Sequence, residues 1–564
     1  MEHSEETFAG KNGIKLPMNA AQFFVMCLEN EGVKYVFGIP GEENIHMIDA
    51  FNGSSVRFIL VRHEQAASFM ADIYGRLTGL PGVCIATLGP GAINLVLGTA
   101  DANTDSVPLI AISAQVGLNR IYKESHQIVD LVSMFKPLTK WAALIQSAEA
   151  IPEMVRSAFK KAQTERPGAV YLAFPQDVEC LTAPEEYHPL KINIVHDSSP
   201  SATQIARAVK VLGAAKKPIV LAGHGAVRDH ASEALIHFSE RLKIPVATTF
   251  MGKGVFPDNH PNSLGAAGFM LHDYVNFGFD KADVVICVGY DLQEFDPVRI
   301  NPKGDKQIIH IHRYPAGVDA HYHVMVGIEG NISESLEALS QEVKVTPGLS
   351  PIDTKIIHLI REDLERGRKD NSYPLKPQRI VADIRTALGE EDIVLVDTGA
   401  VKMWMARLYP TYRPNTCLIS NGLSTMAFAF PGAISAKLAF PERKVLAAVG
   451  DAGFLMNSQE LETAVREKIH VVVLVWVDGS YGLIKWKMDI ELGHHSHVDF
   501  GNPDFVKLAE SYGAKGYAIK RTEDLLPTLQ RALMDNTVSV IACPVDYEQN
   551  MVLTEKLGEL KQTL

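Results

Sequence analysis

At 564 residues the chain is long enough for about three or four domains, and 46% hydrophobic residues can fill several cores. A formal net charge of −12 with no basic block argues against a nucleic-acid partner and against an anionic membrane surface. The six cysteines (Cys27, Cys84, Cys180, Cys287, Cys417 and Cys543) lack metal-ligand spacing and read as reduced thiols in a cytoplasmic setting, and the polar N-terminus with Glu2, Glu5 and Glu6 shows neither a secretory signal nor a membrane span.

From Met18 to about Glu179 apolar runs alternate with helical patterns, the signature of a parallel α/β sheet. Val36-Phe37 runs into Gly38-Ile39-Pro40-Gly41, Val56 to Val61 into Arg62-His63-Glu64-Gln65, and Val83 to Thr87 into Gly89-Pro90-Gly91, with Leu109 to Ser113 as a further strand. After Glu64, the residues Ala66, Met70, Ile73 and Leu77 recur every three or four positions, so Glu64 opens a helix packed on the sheet. A carboxylate there suits either the helix dipole or a reactive role. Ser125-His126-Gln127, followed by Asp130, reads from its residues alone as a surface loop.

A linker is expected from Leu181 to Pro200, and Pro218 to Ala222 starts a second strand–helix series. Its Gly223-His224-Gly225 is too incomplete for a dinucleotide fingerprint and predicts a plain tight turn. Pro347, Pro351 and Pro374 bracket a charged helix, Lys355 to Arg368, which leads to a third series with strands at Ile393 to Val396, Val445 to Val449, Val471 to Val477 and Val538 to Ala542. The expected domains are 15–182, 200–343 and 376–550, each a doubly wound parallel sheet.

The third series holds the most specific chemistry. The strand Val445 to Val449 ends in Gly450-Asp451-Ala452-Gly453, a helix carrying Leu455, Leu461 and Val465 follows, and the next strand closes on Asp478, 27 positions after Asp451. Glycines let backbone amides approach an anion, and the free N–H groups of a helix start attract it. Mg²⁺ takes one or two carboxylates, a few other oxygens and substrate phosphates, which Asp451, Asp478 and the Ser480 carbonyl can supply. A lone Gly-Asp-x-Gly also fits an ordinary strand–turn–helix with a solvated Asp, and the second carboxylate is what favours a diphosphate site.

This stretch resembles the thiamine-diphosphate motif of the family that includes acetolactate synthase and pyruvate decarboxylase. Ala452 stands where that family has a second Gly, and Asp478 where it ends on Asn; the catabolic, FAD-independent acetolactate synthases are similar in carrying Asp there. The added charge makes a cation beside the diphosphate more necessary. The resemblance implies three doubly wound domains (pyrimidine-binding, central and diphosphate-binding), with thiamine diphosphate and Mg²⁺ as cofactors. It assigns metal ligation to Asp451, Asp478 and Ser480. Cofactor contacts fall to Gly38, Pro40, Gly41, Gly399, Ala400, Ser424, Gly450, Asp451, Ala452, Gly453 and Tyr481. Within Asn421 to Gly432 it makes Met426 the wedge that bends the cofactor, and the Ser424 backbone faces the 4′-amino group. Glu64, in its Arg-His-Glu context, becomes the acid at the pyrimidine N1′, and Gln127 lies near the reacting carbon.

Gly289-Tyr290-Asp291 and Glu294-Phe295-Asp296-Pro297 occupy the region of the flavin segment of biosynthetic acetohydroxyacid synthases without matching it, so FAD is not expected. Pro544-Val545-Asp546-Tyr547 and Asn550 also resemble the catabolic type. Glu42-Glu43-Asn44 replaces the Lys of the catabolic enzymes, and Tyr481 to Trp486 departs from their pattern, as does Lys402 at a variable position. The implied reaction decarboxylates pyruvate and ligates the hydroxyethyl fragment to a second pyruvate, giving 2-acetolactate and CO₂. A non-ligating 2-oxo acid decarboxylase, a carboligase with another acceptor and a catalytically silent regulatory paralogue are the alternatives. The family also implies a homodimer or homotetramer with active sites at the subunit interface.

Overall fold

The computed structural model describes residues 17–193, 198–344 and 351–563. Glu2, Glu5, Glu6 and Pro347 lie outside them, as do residues 194–197 of the expected linker. Among the described residues eighteen strands form three six-stranded, wholly parallel sheets. Continuous apolar runs make this possible: β strands at Gly82–Ala86, Leu109–Gln115 and Ala169–Pro175 are buried at every residue, as sheets covered on both faces require.

The first sheet comprises Tyr35–Gly38, Arg57–Leu60, Gly82–Ala86, Leu109–Gln115, Trp141–Leu144 and Ala169–Pro175 (β1–β6) in the order β2-β1-β3-β4-β6-β5. The second comprises Pro218–Ala222, Val246–Thr249, Ser263–Ala267, Val284–Val288, Gln307–His312 and Val324–Glu329 (β7–β12), ordered β12-β11-β10-β7-β8-β9. The third comprises Ile393–Val396, Cys417–Ile419, Val445–Gly450, Val472–Val477, Lys515–Ala518 and Ser539–Pro544 (β13–β18), ordered β14-β13-β15-β16-β18-β17. Each order reverses beside its first strand, between β1 and β3, β7 and β10, and β13 and β15. In open α/β sheets ligands bind at such reversal points, beyond the carboxyl ends of the strands.

The chain divides into two compact units, one built on β1–β6 and the other on both β7–β12 and β13–β18. Within the second unit Arg407 links the two sheets, donating to Asp273 (2.6 and 3.1 Å) and Asp363 (3.3 Å). Burial opposes the charge on Arg407, yet these carboxylates raise its pKa overall. Among the described residues no helix is long and apolar enough to cross a membrane.

Two local readings are corrected. Gly223-His224-Gly225 is not a plain turn but opens the short helix His224–Arg228, whose first N–H is taken by the Glu294 carboxylate (2.9 and 3.1 Å). The single helix expected through Leu455 and Val465 is two, Asp451–Met456 and Glu460–Arg466. Asn457 breaks it by leaving helical geometry (φ −134°, ψ 23°) while its amide donates to the Ala427 carbonyl (3.1 Å).

In the first unit Glu179 is wholly buried, with Oε2 accepting from the Met47 N–H (3.2 Å) and Oε1 without a partner. Burial pushes its carboxyl up to about 8, against a lowering by the Met47 N–H. The folded state therefore holds a proton that the unfolded chain releases, and stability falls as pH rises from the ordinary Glu value toward about 8. Glu179→Gln removes that titration, so its thermal-midpoint advantage over the unmodified chain should widen from pH 5 to 8 and then level off. The limiting slope is about 1.4 kcal/mol per pH unit. A gap independent of pH contradicts the assignment.

Candidate active site

In the first unit the candidate residues gather beyond β1, β2 and β3. Glu64 is the first residue of the helix Glu64–Thr78, and the His63 Nδ1 caps that helix by accepting the Gln65 N–H (3.1 Å). Its side chain is buried at 8% exposure, and Oε2 accepts from the Asn94 amide (3.0 Å). A Cβ added at Gly91 would lie 3.2 Å from Glu64 Oε1 and 2.9 Å from Thr87. Thr87 in turn donates to Glu43 (3.0 Å), so one of the two acidic residues after Gly41 shares this corner.

Gly41 donates to the Asn44 side chain (2.7 Å), and a Cβ on it would collide with Thr87. Gly38 is buried against β3, where a Cβ would meet the Ile85 carbonyl at 2.2 Å; Pro40 is exposed. Gln127 is exposed with φ 58°, and its backbone crowds Gly89.

In the second unit the third sheet presents two helix starts at its β13/β15 reversal. Gly399 precedes the helix Ala400–Leu408 with φ 141°, a conformation that favours glycine, and nothing comes closer than 4.0 Å to a Cβ placed on it. Gly450 precedes Asp451–Met456, and its Cβ position is open as well. Two backbone turns without a crowding side chain thus face a common reversal point, each at the start of a helix.

Asp451, at 1% exposure, is held in one orientation. Oδ1 accepts the Ala452 N–H (2.8 Å), and Oδ2 accepts the N–H groups of Asp478 (3.1 Å) and Gly479 (2.8 Å) and the Asn502 amide (2.7 Å). Asp478 accepts the Ser480 hydroxyl (2.6 Å). Burial pushes the Asp478 carboxyl up to about 6; the Ser480 hydroxyl lowers it and Asp451 raises it further. A carboxylate pair in this state fits a cation, whose charge removes the repulsion. Among the described residues no group of three or more His, Cys, Asp or Glu could hold a metal ion, so a cation on this carboxylate pair would need backbone, water or phosphate oxygens as well, the donor set that suits Mg²⁺. Tyr481, 41% exposed, sets its ring edge-on to Phe500 (5.2 Å).

The segment around Met426 is held under tension. Ser424 and Ala427 adopt φ of 58° and 68°, which for non-glycine residues costs of order 1–3 kcal/mol each. Two buried side chains impose it. Asp397 accepts the N–H groups of Ala427 and Phe428 (3.1 Å each), and Asn457 donates to the Ala427 carbonyl. Burial pushes Asp397 up to about 7 despite those donors. A Cβ at Gly453 would strike Asp397 Oδ2 at 2.2 Å, which explains this glycine by packing. Buried Lys402 donates to the Ser420 carbonyl (3.0 Å) and the Ser424 hydroxyl (2.8 Å). Met426, half-buried, is thereby fixed on a rigid loop.

Beside Asp478 and Ser480 opens a cavity of about 560 Å³, walled by Lys485, Trp486, Tyr547 and Asn550. Trp486 is almost fully buried, donating to Thr554 (3.0 Å) and leaning on Phe269. Asp397, Asn457 and Asn502 were not singled out by sequence. Only Asp397 carried a signal, as a carboxylate directly after an apolar strand.

Residues 18–134, 205–339 and 397–543 match, respectively, the N-terminal TPP binding domain, the central domain and the C-terminal TPP binding domain of thiamine pyrophosphate enzymes. The chain is 36% identical to the probable acetolactate synthase large subunit of Methanocaldococcus jannaschii, covering 96% of this chain and 94% of that protein. It is 34% identical to the acetolactate synthase of Bacillus subtilis (96% and 97% covered) and 35% to the catabolic acetolactate synthase of Raoultella terrigena (96% and 97%). With all three domains matched in order and similarity over nearly its whole length, the chain belongs to the thiamine pyrophosphate enzyme family.

Proposed function

We propose that this chain joins two molecules of pyruvate into 2-acetolactate with release of one CO₂, using thiamine diphosphate and Mg²⁺. The observation that carries the reading is the Asp451–Asp478 pair beside two open helix starts at the β13/β15 reversal; the names of the relatives supply the reaction. Thiamine diphosphate supplies an electron sink that lets a 2-oxo acid lose CO₂ and its acyl carbon join a second carbonyl.

The protein's part is binding, orientation and one proton. Asp451, Asp478 and the Ser480 carbonyl hold the cation, while Gly399, Ala400 and the Gly450–Gly453 turn receive the phosphates. Ser424 and Met426 would hold the pyrimidine end of the cofactor, with Tyr481 at the rim. Glu64 holds a proton at the pyrimidine N1′, and Gln127 faces the reacting carbon of the substrate. Trp486 and Tyr547 give the cavity beside Asp478 and Ser480 an apolar wall among the charged side chains of Lys485, Asp489 and Asp546.

The family resemblance supports a homodimer or homotetramer with active sites at the subunit interface, one copy bringing its Glu64 to another copy's metal pair. FAD is not expected. At the β7/β10 reversal, where a dinucleotide's phosphates belong in such a sheet, the Glu294 carboxylate already takes the His224 N–H, with Thr249 donating to it at 2.5 Å. A cytoplasmic location is consistent with five buried free cysteines and one exposed, Cys180.

Incubation with pyruvate, thiamine diphosphate and Mg²⁺, with every product identified, tests the reading. The expected result is 2-acetolactate and CO₂ in equal amounts. Acetaldehyde alone assigns a non-ligating decarboxylase, and absence of turnover with bound cofactor assigns a silent paralogue.

A further inference from the structure

Asn502 lies in a polar loop that no motif singles out, yet the fold brings it to the metal pair by a specific route. The strand β16 ends at Val477, and the chain from Gly479 to Tyr481 then pairs with residues 498–500. Phe500 N–H donates to the Gly479 carbonyl, Tyr481 N–H donates to the Val498 carbonyl (2.9 Å each), and Ser480 bridges Asp499. Two residues later, Asn502 donates through Nδ2 to Asp451 Oδ2 at 2.7 Å, the shortest of that carboxylate's four hydrogen bonds.

The other end of the same amide is unsatisfied: Asn502 Oδ1 is buried and has no hydrogen-bond partner. Turning the amide over does not help, because two acceptors would then face each other at Asp451. A buried acceptor left alone carries a desolvation cost, and one beside a carboxylate pair has an evident donor in the hydration shell that Mg²⁺ keeps when few protein ligands are offered.

We propose that Asn502 is a positioning residue for the divalent cation, its Nδ2 orienting Asp451 and its Oδ1 accepting from a water on the cation. The inference rests on the proposed thiamine diphosphate and Mg²⁺ site. Partners of this kind around metal ligands set affinity rather than presence of the site, and their loss weakens metal binding by about 10–100-fold.

The test is calorimetric titration of the full chain with thiamine diphosphate at stepped Mg²⁺ concentrations, for the unmodified protein, Asn502→Leu and Asn502→Ser. The Leu variant keeps the volume and removes both polar atoms; the Ser variant serves if Leu does not fold. The expected result is a rise of about 10–100-fold in the Mg²⁺ needed for half-maximal cofactor binding, with binding regained at saturating Mg²⁺. A role confined to the loop's stability would lower the thermal midpoint of the cofactor-free protein and leave the Mg²⁺ requirement unchanged, which overturns the proposal. Failure of the unmodified chain to bind thiamine diphosphate with Mg²⁺ overturns the site itself, and Asn502's role with it.

Discussion

Asp451→Ala should bind thiamine diphosphate at least about 100-fold more weakly in the presence of Mg²⁺ than the unmodified chain does, and added Mg²⁺ should not restore it. The effect is large because the substitution acts twice. It removes one of the two carboxylates proposed to hold the cation, and it leaves the N–H groups of Asp478 and Gly479 and the Asn502 amide without their common acceptor. The strand-end turn that those donors shape then loses its geometry along with its charge. Asp451→Asn separates the two contributions, since a carboxamide oxygen can still accept while the negative charge is gone. Calorimetry with and without Mg²⁺ distinguishes these cases, and an affinity unchanged in the Ala variant refutes the metal assignment.

Glu64→Gln should keep cofactor affinity and lose proton exchange at the thiazolium C2 by about 10²–10⁴-fold, the range of a positioned acid–base group. Gln fits the same space and can still accept from the Asn94 amide, so the buried corner against Gly91 and Thr87 is preserved. What disappears is the ionisable proton. Exchange measured by NMR on the bound cofactor reads that step apart from decarboxylation, and an unchanged rate removes Glu64 from the chemistry. Co-folding Glu64→Gln with Asp451→Ala adds a test of assembly. If copies exchange these two groups, mixed oligomers hold one intact site and recover activity that neither variant has alone.

The three parallel sheets were legible because their central strands are continuous apolar runs, such as Val445–Gly450 and Val472–Val477, bounded by glycine turns. The edge strands β5 and β17 were not. Lys515–Ala518 is exposed or half-buried at every residue, and Trp141–Leu144 is half-buried throughout, so neither shows the burial pattern that periodicity detects. Asp451 and Asp478 could be paired from sequence since both sit at the carboxyl ends of adjacent strands, where register alone brings them together. Asn502 could not, because its approach depends on a short pairing of two irregular segments.

The helix break at Asn457 escaped for a similar reason. Leu455, Leu461 and Val465 carry helical spacing, and the feature that overrides it is a tertiary hydrogen bond to Ala427. Ala427 itself needs a positive φ without being glycine, a strain that only Asp397 and Asn457 together make tolerable. Sequence patterns report local preference, and the residues that hold a site in place against local preference are the ones they miss.

In the proposed function a divalent cation on Asp451 and Asp478 fastens the diphosphate tail of the cofactor at the β13/β15 reversal. Its most direct test is a titration of the unmodified chain with thiamine diphosphate and with thiamine, each in Mg²⁺ and after chelation. The expected result is saturable binding of thiamine diphosphate, one per chain, only when Mg²⁺ is present, and no comparable binding of thiamine. Equal binding of thiamine diphosphate with and without the cation, or binding of thiamine as tight as that of its diphosphate, would contradict it.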